Sequence, residues 1–178
     1  MTQANLVYIT DVELRPSPVT AVTPTIHKPT EADIPGLVAL VNTYARRGDL
    51  LPRSAEQIRA SLPTWVIGKL GDEVVACGSL LHYSPHLAEV RSLAVADVAQ
   101  GTGLGRKIVE ALMAEASGRG IPTLFALTRA VPFFLKLGFA ITEKEFFPQK
   151  VWTDCSVCPL KDACDETAVV FKLVMNNE

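Results

Sequence analysis

Val90-Arg91-Ser92-Leu93-Ala94-Val95, followed after Ala96 to Ala99 by Gln100-Gly101-Thr102-Gly103-Leu104-Gly105-Arg106, is the stretch whose reading decides the fold. It joins a strand to a glycine loop and the loop to a helix. Glycines at every second position let the backbone turn without Cβ clashes. The helix that follows aims its unpaired N–H groups and the positive end of its dipole at whatever sits in the turn, which is the chemistry of an anion site that a pyrophosphate would fit. Counted back from the loop, a period of two puts Glu89, Arg91, Leu93 and Val95 on one face of the strand and Val90, Ser92 and Ala94 on the other.

Outward from this stretch, the helix carries Leu104, Ile108, Leu112 and Ala116 on one face and ends near Gly118 and Gly120. Upstream, Trp65 to Leu70 and Val74 to Tyr83 flank Gly71-Asp72-Glu73, a short glycine-bearing turn that suits an antiparallel hairpin, and Glu89 to Val95 is the next strand. Thr25 to His27 is a short strand, and Thr30 with Asp33 is close to a capping box. That box opens a helix through Ile34, Leu37, Val38, Val41 and Ala45, which Gly48 stops. Ser54 with Gln57 repeats the signal and starts a shorter helix through Ile58 to about Leu62. Downstream, Thr123 to Thr128 is a strand, Val131 to Leu137 a short helix stopped at Gly138, Phe139 to Glu143 a strand, and Ala168 to Val174 closes the sheet.

The predicted order is strand, two helices, three antiparallel strands, helix, strand, helix and two strands. That is an α+β fold with a mixed, mostly antiparallel central sheet flanked by helices. The glycine spacing lacks the third gap of G-x-G-x-x-G and the preceding strands are joined by tight turns, which excludes a dinucleotide fold. Residues 1–24 hold Pro16, Pro18 and Pro24 and no helical period, so they read as an N-terminal arm, with Leu6 to Ile9 able to add an edge strand. Residues 25–178 form the domain.

The 178 residues suffice for one core without crosslinks. Lys and Arg total 17 against 19 Asp and Glu, a net charge of −2 with no pooled basic face, so no nucleic acid partner is expected. Apolar runs such as Val74 to Leu81 are far shorter than the roughly 18 residues of a membrane span, and Met1 to Thr10 has no leader pattern, so no membrane partner and a cytoplasmic location are expected.

Gln100-x-x-Gly103-x-Gly105, preceded by Leu93-Ala94-Val95 and followed by Phe133-Phe134-Leu135-Lys136-Leu137-Gly138-Phe139, resembles the acetyl-CoA-binding signature of the GNAT acetyltransferase family over residues 25–143. The resemblance implies the GNAT fold and acetyl-CoA as co-substrate. It implies that the backbone of Gly101, Thr102, Gly103, Leu104, Gly105 and Arg106, with Gln100, holds the pyrophosphate. The main chain of Leu93, Ala94 and Val95 would pair with the pantetheine arm, and Phe133, Phe134 and Lys136 would border the cofactor. A bulge in the strand, common in this family, would open the groove. The Leu93 N–H would then polarise the thioester carbonyl. Where many members carry a tyrosine that protonates the leaving thiolate, this chain has Phe134; Tyr83 is an alternative donor.

Leu50-Leu51-Pro52-Arg53-Ser54, Ala88 to Val95, and Leu127-Thr128 ahead of Phe133 resemble the transferase domain of bacterial N-acetylglutamate synthases. The resemblance implies transfer of acetyl to the α-amine of L-glutamate in a ternary complex, the first step of arginine biosynthesis. Arg53 would bind a substrate carboxylate through its planar fork, or else be a solvated helix-start arginine. Arg91 would contact the second carboxylate or else structure the face, and Lys150 would reach a substrate carboxylate. Glu89 is the general-base candidate, against a plain Glu89–Arg91 surface pair, and Ser92 and Thr128 are hydroxyls for the amine or a bridging water. Other acceptors in view are glutamine, another amino acid or a protein N-terminus, and a non-catalytic CoA-binding sensor is the rival class. An amino-acid-kinase domain such as many long synthases carry has no counterpart here, so arginine feedback through one is not expected. A homodimer accords with small members of the family.

The segment 150–166 is a cysteine-bearing insertion. Cys155-x-x-Cys158 and Cys164 could supply zinc with soft ligands, an aspartate, a histidine or water being the fourth, or could form a loop of reduced thiols. Cys77 lies in a strand and belongs to the core. His27, His82 and His86 show no ligand spacing, and His82 is a distant candidate for a proton shuttle.

Overall fold

The computed structural model describes residues 23–148 and 154–173. Most of the N-terminal arm, its expected edge strand at Leu6 to Ile9, and Lys150 lie outside the described residues.

Strand β1 (Thr25–His27) leads through a single turn into helix α1 (Ile34–Arg46). The turn is set by the expected capping box: the Asp33 carboxylate accepts the Thr30 N–H at 2.8 Å, and Lys69 joins the same carboxylate at 2.9 Å. These contacts, the Thr30 amide first, lower the Asp33 pKa to about 2. Helix α2 (Ala55–Ala60) begins at a second box, where Ser54 Oγ accepts from Gln57 N at 3.2 Å and Gln57 Oε1 accepts from Ser54 N at 2.8 Å.

Strands β2 (Trp65–Leu70), β3 (Glu73–Ser84) and β4 (Leu87–Val95) then form an antiparallel meander, and helix α3 (Leu104–Gly118) crosses back to β5 (Thr123–Thr128). Helix α4 (Val131–Leu135), β6 (Ala140–Thr142) and β7 (Thr167–Lys172) complete the chain. The seven strands lie in the order β1-β2-β3-β4-β5-β7-β6, with β4 and β5 parallel and every other pair antiparallel. This is the expected α+β architecture. Helix α4 stops two residues earlier than expected, and β6 keeps only the middle of the expected strand.

The sheet is covered on both faces, so central strands carry apolar side chains on both sides. Trp65 and Ile67 pack with Leu37, Val41 and Ile58 under α1 and α2. Val66, Leu80, Val90 and Leu124 pack with Ile108 and Leu112 of α3. Each fully buried aliphatic side chain contributes about 1.5–3 kcal/mol of transfer free energy, so these two layers hold the helices on the sheet. No helix among the described residues is long and apolar enough to cross a membrane.

Two irregularities in β4 make room for a site. The register with β3 passes from Ser79↔Arg91 to Cys77↔Ala94, leaving Ser92 and Leu93 opposite Gly78, and Ser92 takes φ 52°. That is a β-bulge with a left-handed residue, a conformation that costs ~1–3 kcal/mol and is held by its surroundings. The parallel pairing of β4 with β5 extends only from Leu87↔Thr123 to Glu89↔Phe125. Beyond it the two strands separate.

The bulge corrects the strict alternation expected from the sequence. Val90, Leu93 and Val95 all pack on the α3 side, whereas Ala94 packs under α1, and Glu89 and Arg91 line a cavity on that second side. One inserted residue shifts the phase of a period-two strand, so Glu89 and Leu93 do not share a face.

Candidate active site

The glycine loop forms the first half of the site. Gly101 and Gly103 stand at φ 76° and 80°, conformations that L side chains rarely adopt, and a Cβ on either would enter open space with no atom within 4 Å. Gly105 is different: its Cβ would lie 3.3 Å from Val95 Cγ2, so it lets α3 approach β4. These glycines, Val95, Gln100, Leu104, Arg106, Phe133 and Lys136 surround a groove of about 360 Å³ at the N-terminus of α3. Open space over left-handed glycines at a helix start, beside an apolar wall and two cationic side chains, fits the diphosphate and arm of CoA.

Hydrogen bonds brace the loop. Gln100 Nε2 donates to the Val95 carbonyl at 3.1 Å, the Tyr44 hydroxyl donates to the same carbonyl, and Thr102 Oγ1 donates to the Ala99 carbonyl at 2.7 Å. Phe134 is 3% exposed and packs edge-on against Phe133 and Phe139, so it supports the groove from beneath rather than lining it. Ala94 likewise turns its side chain to the other face.

The second half lies where β4 and β5 part, as a cavity of about 300 Å³. Its floor is Glu89, Arg91, Ser92 and Leu127; its walls are residues 48–53 of the α1–α2 connection and residues of the cysteine segment. Arg53 is fixed there by its backbone, because Asn42 of α1 accepts the Arg53 N–H at 3.0 Å and donates to its carbonyl at 3.0 Å. Its side chain is only 14% exposed, which removes the alternative of a solvated helix-start arginine.

Arg53 and Arg91 converge on one carboxylate, that of Asp154. Arg53 Nη2 donates to Asp154 Oδ1 and Oδ2 at 3.2 and 3.1 Å, and Arg91 Nη1 donates to Oδ2 at 3.1 Å. Nε of both arginines is buried and has no hydrogen-bond partner among the described residues. Glu89 is 1% exposed and accepts the Tyr83 hydroxyl at 2.8 Å. The surface-pair alternative for Glu89 and Arg91 therefore falls: one is buried on Tyr83, the other turned to Asp154.

Other expected residues fare differently. Thr128 is not in the cavity; its Oγ1 accepts the Ala130 N–H at 2.9 Å ahead of α4, and Leu127 and Arg129 are the β5-end residues that line it. Among the described residues no group of three or more His, Cys, Asp or Glu is arranged to hold a metal, so the expected zinc set is not supported. The physical reason is local. Cys164 Sγ meets Lys144 Nζ at 3.3 Å, Asp154 is engaged by arginines, and the three thiols line the cavity wall. Cys77 is the expected core thiol, pushed up to about 12 by burial. His82 lies by Glu115 of α3 and by Arg119 just past its end, and it lines neither half of the site; burial pushes its pKa below the usual value.

Sequence reasoning missed Asp154, Arg129 and Tyr44. Arg129 ties the cavity mouth together, donating to Asp165 at 2.7 Å and to the Gly48 carbonyl at 3.0 Å. None of the three stands in a local motif, and only long-range packing brings them to the site.

Comparison with known proteins follows this geometry. The chain is 38% identical to an uncharacterised N-acetyltransferase of Chlorobaculum tepidum over 142 residues, 80% of this chain and 92% of that one. It is 32% identical to the amino-acid acetyltransferase of Mannheimia succiniciproducens over 68% of this chain, yet spans only 28% of that protein. N-acetylglutamate synthase from Neisseria gonorrhoeae, solved with coenzyme A and N-acetyl-glutamate, superposes with a TM-score of 0.75 at 25% identity, covering 85% of this chain and 35% of that one. The family model for acetyltransferases of the GNAT type matches residues 37–139, which include the bulged strand, the glycine cradle and Phe133. With the sheet order, the cradle and the family match in agreement, the chain belongs to the GNAT acetyltransferase family.

Proposed function

We propose that this chain transfers acetyl from acetyl-CoA to the α-amine of a free acidic amino acid, L-glutamate, and so acts as an N-acetylglutamate synthase of arginine biosynthesis. The observation that carries the substrate is the convergence of Arg53 and Arg91, 14% and 16% exposed, on a single buried carboxylate beside Glu89. Two guanidiniums in a small cavity select a planar anion, and a carboxylate presents the matching pair of acceptors. The relatives named amino-acid acetyltransferase and N-acetylglutamate synthase support the same substrate class.

Acetyl-CoA supplies an activated thioester, and the loop glycines with Arg106 and Lys136 would hold its phosphates. The chain's own groups do the rest. Arg53 and Arg91 orient the acceptor by its carboxylate, and Lys150 is a further ligand in this proposal. Glu89, held by the Tyr83 hydroxyl, accepts a proton from the acceptor ammonium directly or through one water, leaving a nucleophilic amine. The Leu93 N–H, displaced from the ladder by the bulge, donates to the carbonyl oxygen as charge develops there. Ser92 lines the cavity at the same bulge, and in this reading its hydroxyl holds the amine. Phe134 has no hydroxyl, so the thiolate released as the C–S bond breaks and the N–C bond forms departs directly or takes its proton from water.

The test is thiol release from acetyl-CoA over a panel of amino acids that includes glutamate and glutamine, together with a peptide amine. Glutamate is expected to give the highest kcat/KM. Turnover with another amine and none with glutamate would remove the substrate and leave the family; tight CoA binding without any turnover would favour a sensor.

A further inference from the structure

The cavity already contains a carboxylate at the point where an acceptor's carboxylate has to bind. Asp154 is 6% exposed, and its two oxygens are shared between Arg53 Nη2 and Arg91 Nη1. The sharing is incomplete. Neither guanidinium presents its Nε edge to Asp154, and both Nε atoms are buried without partners among the described residues. A free carboxylate that met one guanidinium through Nε and Nη together would make the paired, parallel contact that Asp154 does not make.

Residues 154–166 contain two short turns, Cys155–Val157 and Lys161–Ala163, with no strand or longer helix, and Val157 is 74% exposed. Side-chain ties to the rest of the domain include the Asp154 contacts, Arg129 on Asp165 and Lys144 on Cys164.

We propose that Asp154 is a specificity-determining stand-in for the acceptor carboxylate. It occupies the Arg53–Arg91 seat in the empty cavity, an acceptor enters by displacing it, and an amine that brings no carboxylate cannot replace what it removes. This rests on the reading of the cavity as an amino-acid site. The apparent acceptor affinity is then lowered by the fraction of molecules in which Asp154 has vacated the seat.

The test uses the full chain. Asp154→Asn keeps the shape and a hydrogen-bond acceptor but removes the competing charge; KM for glutamate should fall by about tenfold, and the glutamate Kd measured by calorimetry in the presence of CoA should fall in step. Asp154→Glu keeps the charge and should hold KM within about threefold of wild type. In the unaltered protein, glutamate with CoA should raise amide hydrogen exchange across residues 154–166, opposite to the protection ordinary binding gives. This measurement stands even if Asp154→Asn does not fold. A KM for Asp154→Asn equal to or above wild type in a folded protein, or exchange in that segment that stays level or falls, overturns the proposal. Failure of the underlying reading looks different: the unaltered protein turns over no carboxylate-bearing amine at all, and both then fall.

Discussion

Replacing Gly103 by alanine, with Gly71 as its matched control, separates the CoA cradle from backbone strain. Both glycines have positive φ, 80° and 61°, and a Cβ on either would meet nothing within 4 Å. Neither substitution creates a clash, so each should cost only the left-handed penalty of about 1–2 kcal/mol. For a domain of this size that is a fall in Tm of roughly 2–8 °C, equal in the two variants and readable by calorimetry. Their surroundings differ. Gly71 lies in the β2–β3 turn and lines neither half of the site, whereas the space over Gly103 is the groove at the start of α3. A methyl there blocks a charge-assisted contact to a backbone N–H worth about 1.5–3 kcal/mol, which is about a 10- to 100-fold weaker CoA Kd by isothermal titration. Equal CoA affinity in the two variants, within about twofold, would refute the cradle assignment. A much larger loss of Tm in one of them would refute the claim of open space.

Three further outcomes follow from the same geometry. Arg53→Ala should raise KM for glutamate by about 10- to 100-fold, the worth of a hydrogen bond to a charged group, and leave CoA affinity within about twofold, both checked by steady-state kinetics and titration. Glu89→Gln, isosteric and still able to accept from Tyr83, should lower kcat by about 10²–10⁴-fold in a single-turnover assay, because an amide cannot take the ammonium proton. Asp33, whose carboxyl is lowered from 3.8 to about 2 by the Thr30 amide and then Lys69, binds its proton more weakly folded than unfolded. It therefore contributes about 2 kcal/mol that is complete above pH 4 and lost as pH falls toward 2. Asp33→Asn should be less stable at neutral pH in urea unfolding, the difference vanishing at the acid end.

What could be read from the sequence was what is decided locally. The two capping boxes, the stop at Gly48 and the glycine turn depend on residues three or four apart, and each element they bound is present at the expected place. The glycine loop at the start of α3 was legible for the same reason, since loop and helix start are contiguous. The acceptor half was legible only in part. Arg53, Arg91 and Glu89 converge as expected, but Thr128 was assigned to the cavity because it follows Leu127, and alternation along β5 turns it away to cap the chain at Ala130. Asp154 had no local signal: its meaning comes from two arginines brought to it from the α1–α2 connection and β4. The cysteines drew the zinc expectation through spacing alone, whereas the ammonium of Lys144 and the cavity wall decide what surrounds them.

The bulge explains how one strand serves two halves of a site. Had β4 kept a period of two, Glu89 and Val95 would share a face, and either the carboxylate would be driven into the apolar layer under α3 or Val95 would leave the cradle. Burying an ionised carboxylate in that layer without partners is far more costly than the ~1–3 kcal/mol of a left-handed residue, so the strain at Ser92 is the smaller cost. With the shift, the N-terminal part of β4 presents Glu89 and Arg91 to the polar cavity, and its C-terminal part presents Val95 to the groove at α3. The same shift leaves Leu93 out of the ladder at the boundary between the two, the place where an N–H donor can reach a carbonyl carried in from one side and attacked from the other. Gly78 completes the arrangement. Its missing side chain admits Ile108, since a Cβ there would stand 2.7 Å from Ile108 Cγ2, so α3 closes on the bulge and keeps the phase shift in place.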